Sequence, residues 1–320
     1  MPAERWRDVA GAVGTMEPAP RNAITDVPGV RVGHAQAASG ERTGVTVVAP
    51  PSLPAPAGAA SINAMGELTG KLEIDERGTI RTPIYLCGTH AVGAVHQAAL
   101  VASGHGPEDA VLPVVGECDD GDMADSRTVT GADVERALEA FSEAVPEGSV
   151  GAGTGMICFG YPGGIGTSSR IVDSHRVGVL LLCNFGDRRY LDVPGAAAPA
   201  TANVPADRGS CITVCATDAP LSIHQLRRLA LRPLLGLARV GSYASHWSGE
   251  IGLAFGTATT EGISDERLDP YFAAAYEAAH EAVLNCLVAA QPARRRDGSM
   301  QEAFPLEAVR RSAHSRWAQS

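Results

Sequence analysis

The chain has 320 residues, 45% of them hydrophobic, and a formal net charge of −10; that apolar content suffices for one large core or two small ones. A nucleic-acid partner needs a basic surface stripe; the only basic run, Arg294-Arg295-Arg296, reads as a solvated loop, so such a partner is excluded. No stretch approaches the roughly 18 apolar residues of a membrane span, and the N-terminus lacks an apolar signal core, so a cytoplasmic protein is expected.

Residues 1–20 read as a loose arm. "VRVGHA" (30–35) and "GVTVVAP" (44–50) are valine-rich strands bounded by Gly and Pro, and Pro50 to Pro56 reads as a connector. "TPIYLCGT" (82–89) is a strand and "AVGAVHQAALVA" (91–102) a helix, and "AVLPVVGE" (110–117) is a strand ending on Glu117. Thr130 with Asp133 three residues on has capping-box spacing and opens a helix through "VERALEAFSE". Residues 149–169 are glycine-rich and read as tight turns whose N–H groups could hold an anion or oxyanion.

"RVGVLLLCNFG" (176–186) and "SCITVCATD" (210–218) are near-continuous apolar strands, so both their faces should be covered. Residues 221–241 are helical with a break at Pro233. "EIGLAFGT" (250–257) is the last strand. Asp269-Pro270 gives an N-cap and a proline at the first helical position. In the helix that follows, Leu284 and Val288 lie opposite the main apolar stripe, which points to burial on two sides. Together these elements suggest a single layered α/β domain.

The seven cysteines are odd in number, include no CxxC and sit in apolar runs; they read as buried hydrophobes in a reducing compartment. No H-E-x-x-H occurs, so no metal site is expected. "GAGTGM" has Met156 where a dinucleotide fingerprint needs glycine, so no cofactor is expected either. "ECDDGDMAD" (117–125) lacks the glutamate that closes a calcium loop; it is a solvated turn, or Glu117 at its strand end meets a substrate ammonium group. Asn184 ends an apolar strand, as a turn residue or as an oxyanion-hole donor. Glu281, among apolar neighbours, would have a raised pKa unless paired. Ser248 is not in a G-x-S-x-G elbow. His246 stands two residues before it, on the same face if the segment is extended, and by local sequence Ser248 is a turn residue.

Taken together, the ordered segments "NAITDVPGVRVGH" (22–34), "TGVTVV" (43–48), "VGAGTGMICFGYPGGIGTSSR" (150–170), "VGVLLLCNFG" (177–186), "ATDAPLSIHQLRRLALRPLLGLAR" (216–239) and "SGEIGLAF" (248–255) resemble the L-aminopeptidase/D-esterase (DmpA-like) family of self-processing hydrolases. The resemblance covers about residues 21–308. It implies a four-layer αββα sandwich. It also implies self-cleavage before Ser248 into chains 1–247 and 248–320, a metal-free and cofactor-free hydrolase of N-terminal residues from small peptides, amides or esters, and a homo-oligomer, expected to be a tetramer. By the same resemblance Ser248 is the nucleophile, Asn184 the oxyanion-hole donor and Tyr161 the tyrosine of the glycine-rich segment. Glu281 corresponds to the acid that orients the nucleophile, and Glu117 to the carboxylate near the substrate amine. The sequence departs from the family at His246-Trp247, where Asn-Gly is usual, and at Pro162, Ala279 and around Ala124. An uncleaved binding relative and an acyltransferase are the alternative readings; related acyltransferases use threonine where Ser248 stands.

Overall fold

The computed structural model describes residues 4–196, 209–260 and 262–317. In chain order its main strands are β1 (Arg31–Gln36), β2 (Gly44–Ala49), β3 (Ala55–Ala64), β4 (Thr79–Ile80), β5 (Ile84–Gly88) and β6 (Val114–Cys118). The short pair β7 (Ile157–Cys158) and β8 (Tyr161–Pro162) leads into β9 (Gly164–Val172), β10 (His175–Asn184), β11 (Ser210–Thr217) and β12 (Gly249–Gly256). The helices are α1 (Trp6–Ala10), α2 (Lys71–Arg77), α3 (Val92–Ala102), α4 (Gly131–Glu139), α5 (Ile223–Ala230), α6 (Arg232–Ala238), α7 (Asp269–Ala289) and α8 (Leu306–Trp317).

The strands form a four-stranded sheet, β1-β2-β5-β6, and a six-stranded sheet, β4-β3-β12-β11-β10-β9. Side-chain alternation along β10 shows how the layers are built. Leu180 and Leu182 point between the sheets, where they meet Ile84, Leu86, Ile212 and Leu253. Val179 and Leu181 point outward onto the layer of α5, α6 and α7, with Leu229, Leu237 and Val283. On the other side of the molecule Val45, Val47 and Tyr85 pack against Val95 and Val134 of α3 and α4. Three apolar layers between four structural layers give the expected αββα sandwich.

Several local expectations shift. The glycine-rich segment does not stay in turns, because residues 164–172 form the edge strand β9. A Cβ on Gly166 would stand 1.9 Å from the Ala282 carbonyl oxygen; glycine there lets α7 lie directly on the sheet. Part of the Pro50–Pro56 connector is already β3, which begins at Ala55. Asp269 is the first residue of α7 rather than its cap. Leu284 and Val288 are buried, so α7 is covered on two sides as its pattern implied. The capping box of α4 forms, with Asp133 accepting from the Thr130 N–H at 2.7 Å.

Within the N-terminal arm, residues 1–3 lie outside the described residues, and residues 4–20 are tied down rather than loose. Trp6 is buried. Arg5 donates to the Thr167 carbonyl at 2.7 Å. Arg7 makes two parallel bonds to Glu281, at 2.6 and 2.8 Å. The fully buried Arg170 of β9 meets the same carboxylate at 2.8 Å, and the Asn22 amide donates to it at 2.6 Å. Burial alone would push the Glu281 carboxyl up; the hydrogen bond from Arg7 and the charges of Arg170 and Arg7 outweigh burial and hold it below the ordinary carboxylate value.

Removing one partner of a buried ion pair leaves a stranded charge. Glu281→Ala therefore lowers unfolding free energy by about 3 kcal/mol, read as the denaturant midpoint. Because the folded carboxyl titrates below its unfolded value, the pairing contributes fully at neutral pH. That contribution is lost as pH falls through the folded pKa, so the gap between wild type and Glu281→Ala should narrow in acid.

Candidate active site

The head of β12 is assembled from a tight turn. The Ser248 N–H donates to the Ser245 carbonyl at 2.9 Å, and the Asn63 amide of β3 holds that same carbonyl at 2.6 Å. Ala244 just before takes a left-handed φ of 51°. The Gly249 N–H then donates to the Gly209 carbonyl at 3.3 Å, and parallel pairing of β11 and β12 begins at Ser210↔Gly249. A Cβ on Gly249 would stand 2.3 Å from the Met65 carbonyl oxygen, so glycine lets the end of β3 close over this point.

Ser248 is completely buried, whereas Trp247 is 55% exposed. The Trp247 ring lies edge-on to His246, centroids 4.8 Å apart. The Ser248 hydroxyl donates to Oε1 of Glu250, which is also buried. Residues two apart at the start of a strand share a face, and Glu250 lies opposite Cys211 of β11 on the helix-facing side.

Asn184 ends β10 opposite Ser210, which is itself opposite Gly249. Two strand spacings place its backbone roughly 10 Å from Gly249. Its side-chain oxygen accepts from the Ile157 N–H at 2.8 Å, and its amide donates to the Asp119 carbonyl at 2.8 Å. The amide group has a second N–H donor. Asn184 follows the parity of Leu180 and Leu182, so its side chain belongs to the inter-sheet face. The Ser248 hydroxyl thus bonds on one face of the six-stranded sheet and the Asn184 amide on the other, both at the same sheet end.

Glu117 reaches this end from the four-stranded sheet. One oxygen accepts from the Glu67 N–H at 2.9 Å and the other from the Thr89 hydroxyl. Burial raises its pKa; the hydrogen bonds from Thr89 and Glu67 pull back without cancelling the rise. The turn after β3 links it to the head of β12: Met65 closes over Gly249, and a Cβ on Gly66 would stand 3.0 Å from Glu117 Oε1 and 3.7 Å from the Ile251 side chain. Beside them opens a cleft of about 330 Å³ lined by Ala64, Gly66, Leu68, Leu72, Leu112 and Ile251. The acidic segment 117–125 is thus split. Asp119 and Asp122 are solvated, while Glu117 and Asp120 are buried.

The other two singled-out residues face different surroundings. Tyr161 donates its hydroxyl to the Ala196 carbonyl at 2.9 Å, under the Arg188 guanidinium at 3.7 Å and edge-on to Phe304. Glu281 is held in the arginine cluster on α7. Glu250, Thr89 and Asn63 went unnoticed in the sequence. For Glu250 a signal existed, because the two-residue spacing that singled out His246 applies equally on the other side of Ser248. Thr89 and Asn63 had none, since their partners are distant in sequence. Among the described residues no cluster could hold a metal ion, no helix is long and apolar enough to cross a membrane, and all seven cysteines are buried thiols.

A family model for peptidase family S58 matches residues 22–301. The chain belongs to peptidase family S58. This S58 peptidase is 40% identical to the β-peptidyl aminopeptidase BapA of Sphingosinicella microcystinivorans, over 89% of this chain and 86% of that one. Its fold matches a Burkholderia sp. β-aminopeptidase with TM-score 0.87 and 37% identity, covering 98% of this chain and 99% of that one. It also matches the L-aminopeptidase D-Ala-esterase/amidase of Ochrobactrum anthropi, a prototype of the serine aminopeptidases with a variant of the Ntn hydrolase fold. There the TM-score is 0.85 and the identity 32%, with coverage of 98% and 99%. The family resemblance read from the sequence is therefore borne out, as are the α/β sandwich and the peptidase class of hydrolase.

The site makes one electrostatic prediction. Thr89→Val deletes a hydrogen bond that favours the ionised Glu117, so the Glu117 carboxyl should titrate at higher pH in the variant than in wild type. Carbon-13 NMR of labelled glutamate side chains reads the shift directly.

Proposed function

We propose that this S58 peptidase cuts its own chain between Trp247 and Ser248, and that Ser248 then acts as an N-terminal nucleophile. Its activity is the release of N-terminal residues from small peptides, amides or esters, β-amino acid residues among them. The observation that carries this is the burial of Ser248 at the head of β12, with its hydroxyl already bonded to a carboxylate, directly after an exposed residue. The β-aminopeptidase relatives support the substrate class.

Self-cleavage starts with Ser248 Oγ attacking the Trp247 carbonyl; an ester replaces the amide and water resolves it. The cut frees an α-amine on Ser248. An α-amine has an ordinary pKa near 8, so a modest lowering lets it accept the proton of its own hydroxyl near neutrality. The cut also releases Ser248 from the turn with Ser245, and a free chain end can swing around the end of the sheet toward Asn184. There the second amide N–H stabilises the oxyanion of the tetrahedral intermediate. Glu117 receives the substrate ammonium group as a carboxylate, and the neighbouring apolar cleft takes the side chain. Because the Glu117 pKa is raised, amine capture weakens as pH falls through it.

Tyr161 and Glu281 take supporting parts in this reading. Tyr161 sits on the hairpin of β7 and β8, next to the Ile157 N–H that orients Asn184. Glu281 anchors α7 against β9. The exposed apolar side chains of Ile62 and Met65 suit a subunit contact, in keeping with a cytoplasmic homo-oligomer, a tetramer by family resemblance. A second reading, an intact binding relative, rests on Trp247: a bulky residue before the cut resists the strained geometry that glycine would allow.

Intact-mass spectrometry of the purified protein separates the two. Wild type should yield chains 1–247 and 248–320, and Ser248→Ala one uncut chain without turnover. An uncut wild type matching Ser248→Ala would sink the proposal. In cut enzyme, Asn184→Ala should lower kcat by about 100- to 1,000-fold, the loss typical of an oxyanion donor.

A further inference from the structure

The carboxylate that touches Ser248 is not the one the family resemblance points to. Glu281 spends both oxygens on Arg7, Arg170 and Asn22, and an acid so committed is a poor proton acceptor. Glu250 lies two residues beyond Ser248 on the same strand face, buried with it, and accepts its hydroxyl hydrogen bond. Other titratable groups nearby are poorly placed for the task. His246 turns its ring onto the exposed Trp247. Glu117 is bonded to Thr89 and the Glu67 N–H. The thiol of Cys211, opposite Glu250, is pushed up by burial and stays neutral.

We infer that Glu250 is the catalytic base of the first cut, the group that takes the Ser248 Oγ proton as the hydroxyl attacks its own peptide bond. This rests on the self-cleavage proposed above. Before the cut Ser248 has no free α-amine, so the base used by the mature enzyme does not yet exist. In the step, a bond forms between Ser248 Oγ and the Trp247 carbonyl carbon while the Oγ proton passes to the Glu250 carboxylate. The bond between that carbon and the Ser248 nitrogen then breaks. The nitrogen takes the proton back from Glu250 and leaves as an amine. Water hydrolyses the resulting Trp247 ester, which regenerates the Ser248 hydroxyl and leaves a carboxylate on Trp247. Nitrogen and Oγ belong to one residue, so a carboxylate bonded to Oγ can relay the proton over a short path.

Glutamine at this position has nearly the same shape and can still accept the Ser248 hydrogen bond through its carbonyl oxygen, but it is not a base. The test follows the uncut fraction of freshly made full-length chain by intact mass, for wild type, Ser248→Ala, Glu250→Gln and Glu250→Asp, with circular dichroism on each. The expected result is a folded Glu250→Gln chain cut at least about 100-fold more slowly than wild type, with Glu250→Asp cut faster than Glu250→Gln. A folded Glu250→Gln chain cut within a few-fold of wild type overturns the inference and leaves Ser248 as nucleophile untouched. Equal failure of the Gln and Asp variants, both folded, also overturns it. If Glu250→Gln does not fold, Glu250→Ala with and without added formate decides: cutting that is slow until formate supplies a carboxylate supports the inference, and cutting at the same rate with and without formate overturns it. A wild type that stays whole like Ser248→Ala defeats the self-cleavage reading itself, and this inference with it.

Discussion

The parallel pairing of β11 with β12 is the constraint on which the site depends. Parallel neighbours cannot be joined by a hairpin and need a crossover, here the segment carrying α5 and α6. That crossover must return the chain to the sheet end where β11 began, and it does so through the turn that ends on Ser248. The Gly249 N–H to the Gly209 carbonyl and the Ser210↔Gly249 register then fix the residue before β12 in a buried position. The same register puts Asn184 in the row two strands away. A shift of one residue would turn Ser248 and Glu250 together from the helix-facing side to the inter-sheet side.

The second sheet contributes at the same end. The Asp119 carbonyl just after β6 accepts from the Asn184 amide, so the two sheets are joined by a polar bond where the apolar layer between them stops. The 65–67 turn closes over Gly249 and supplies the Glu67 N–H to Glu117. At the other flank of the six-stranded sheet, Glu281, Arg170, Arg7 and Asn22 lock α7, β9 and the N-terminal arm together. The polar groups are thus divided between a scaffold cluster, in which Arg7 and Arg170 pair with Glu281 and Glu277, and a sheet end that carries the Ser248 hydroxyl with Glu250 on one face, the Asn184 amide on the other and Glu117 on the second sheet.

The apolar strands were plain in the sequence because β10, β11 and β12 are buried on both faces and read as continuous runs. The edge strand β9 was hidden. Its Gly166 is small because α7 sits on it, and its Thr167, Ser168 and Ser169 serve polar partners from the N-terminal segment, so the usual valine-rich signal is missing. The arm looked loose because Arg5 and Arg7 find their partners at Glu147 and Glu281, contacts that no local pattern encodes. Family resemblance singles out Ser248, and its neighbours alone do not. The sequence resemblance drew attention to Glu281, whereas the structure draws it to Glu250, because hydrogen-bond partnership is a property of the fold.

The proposed chemistry depends on Ser248 being the residue that carries the acyl group. Rapid acid quench of the protein with a slowly turned-over amino ester, followed by tandem mass spectrometry, locates that group. The account predicts a substrate acyl adduct on the Ser248 side chain at the N-terminus of chain 248–320, absent in Ser248→Ala. An adduct on another residue, or full turnover by Ser248→Ala, would contradict it.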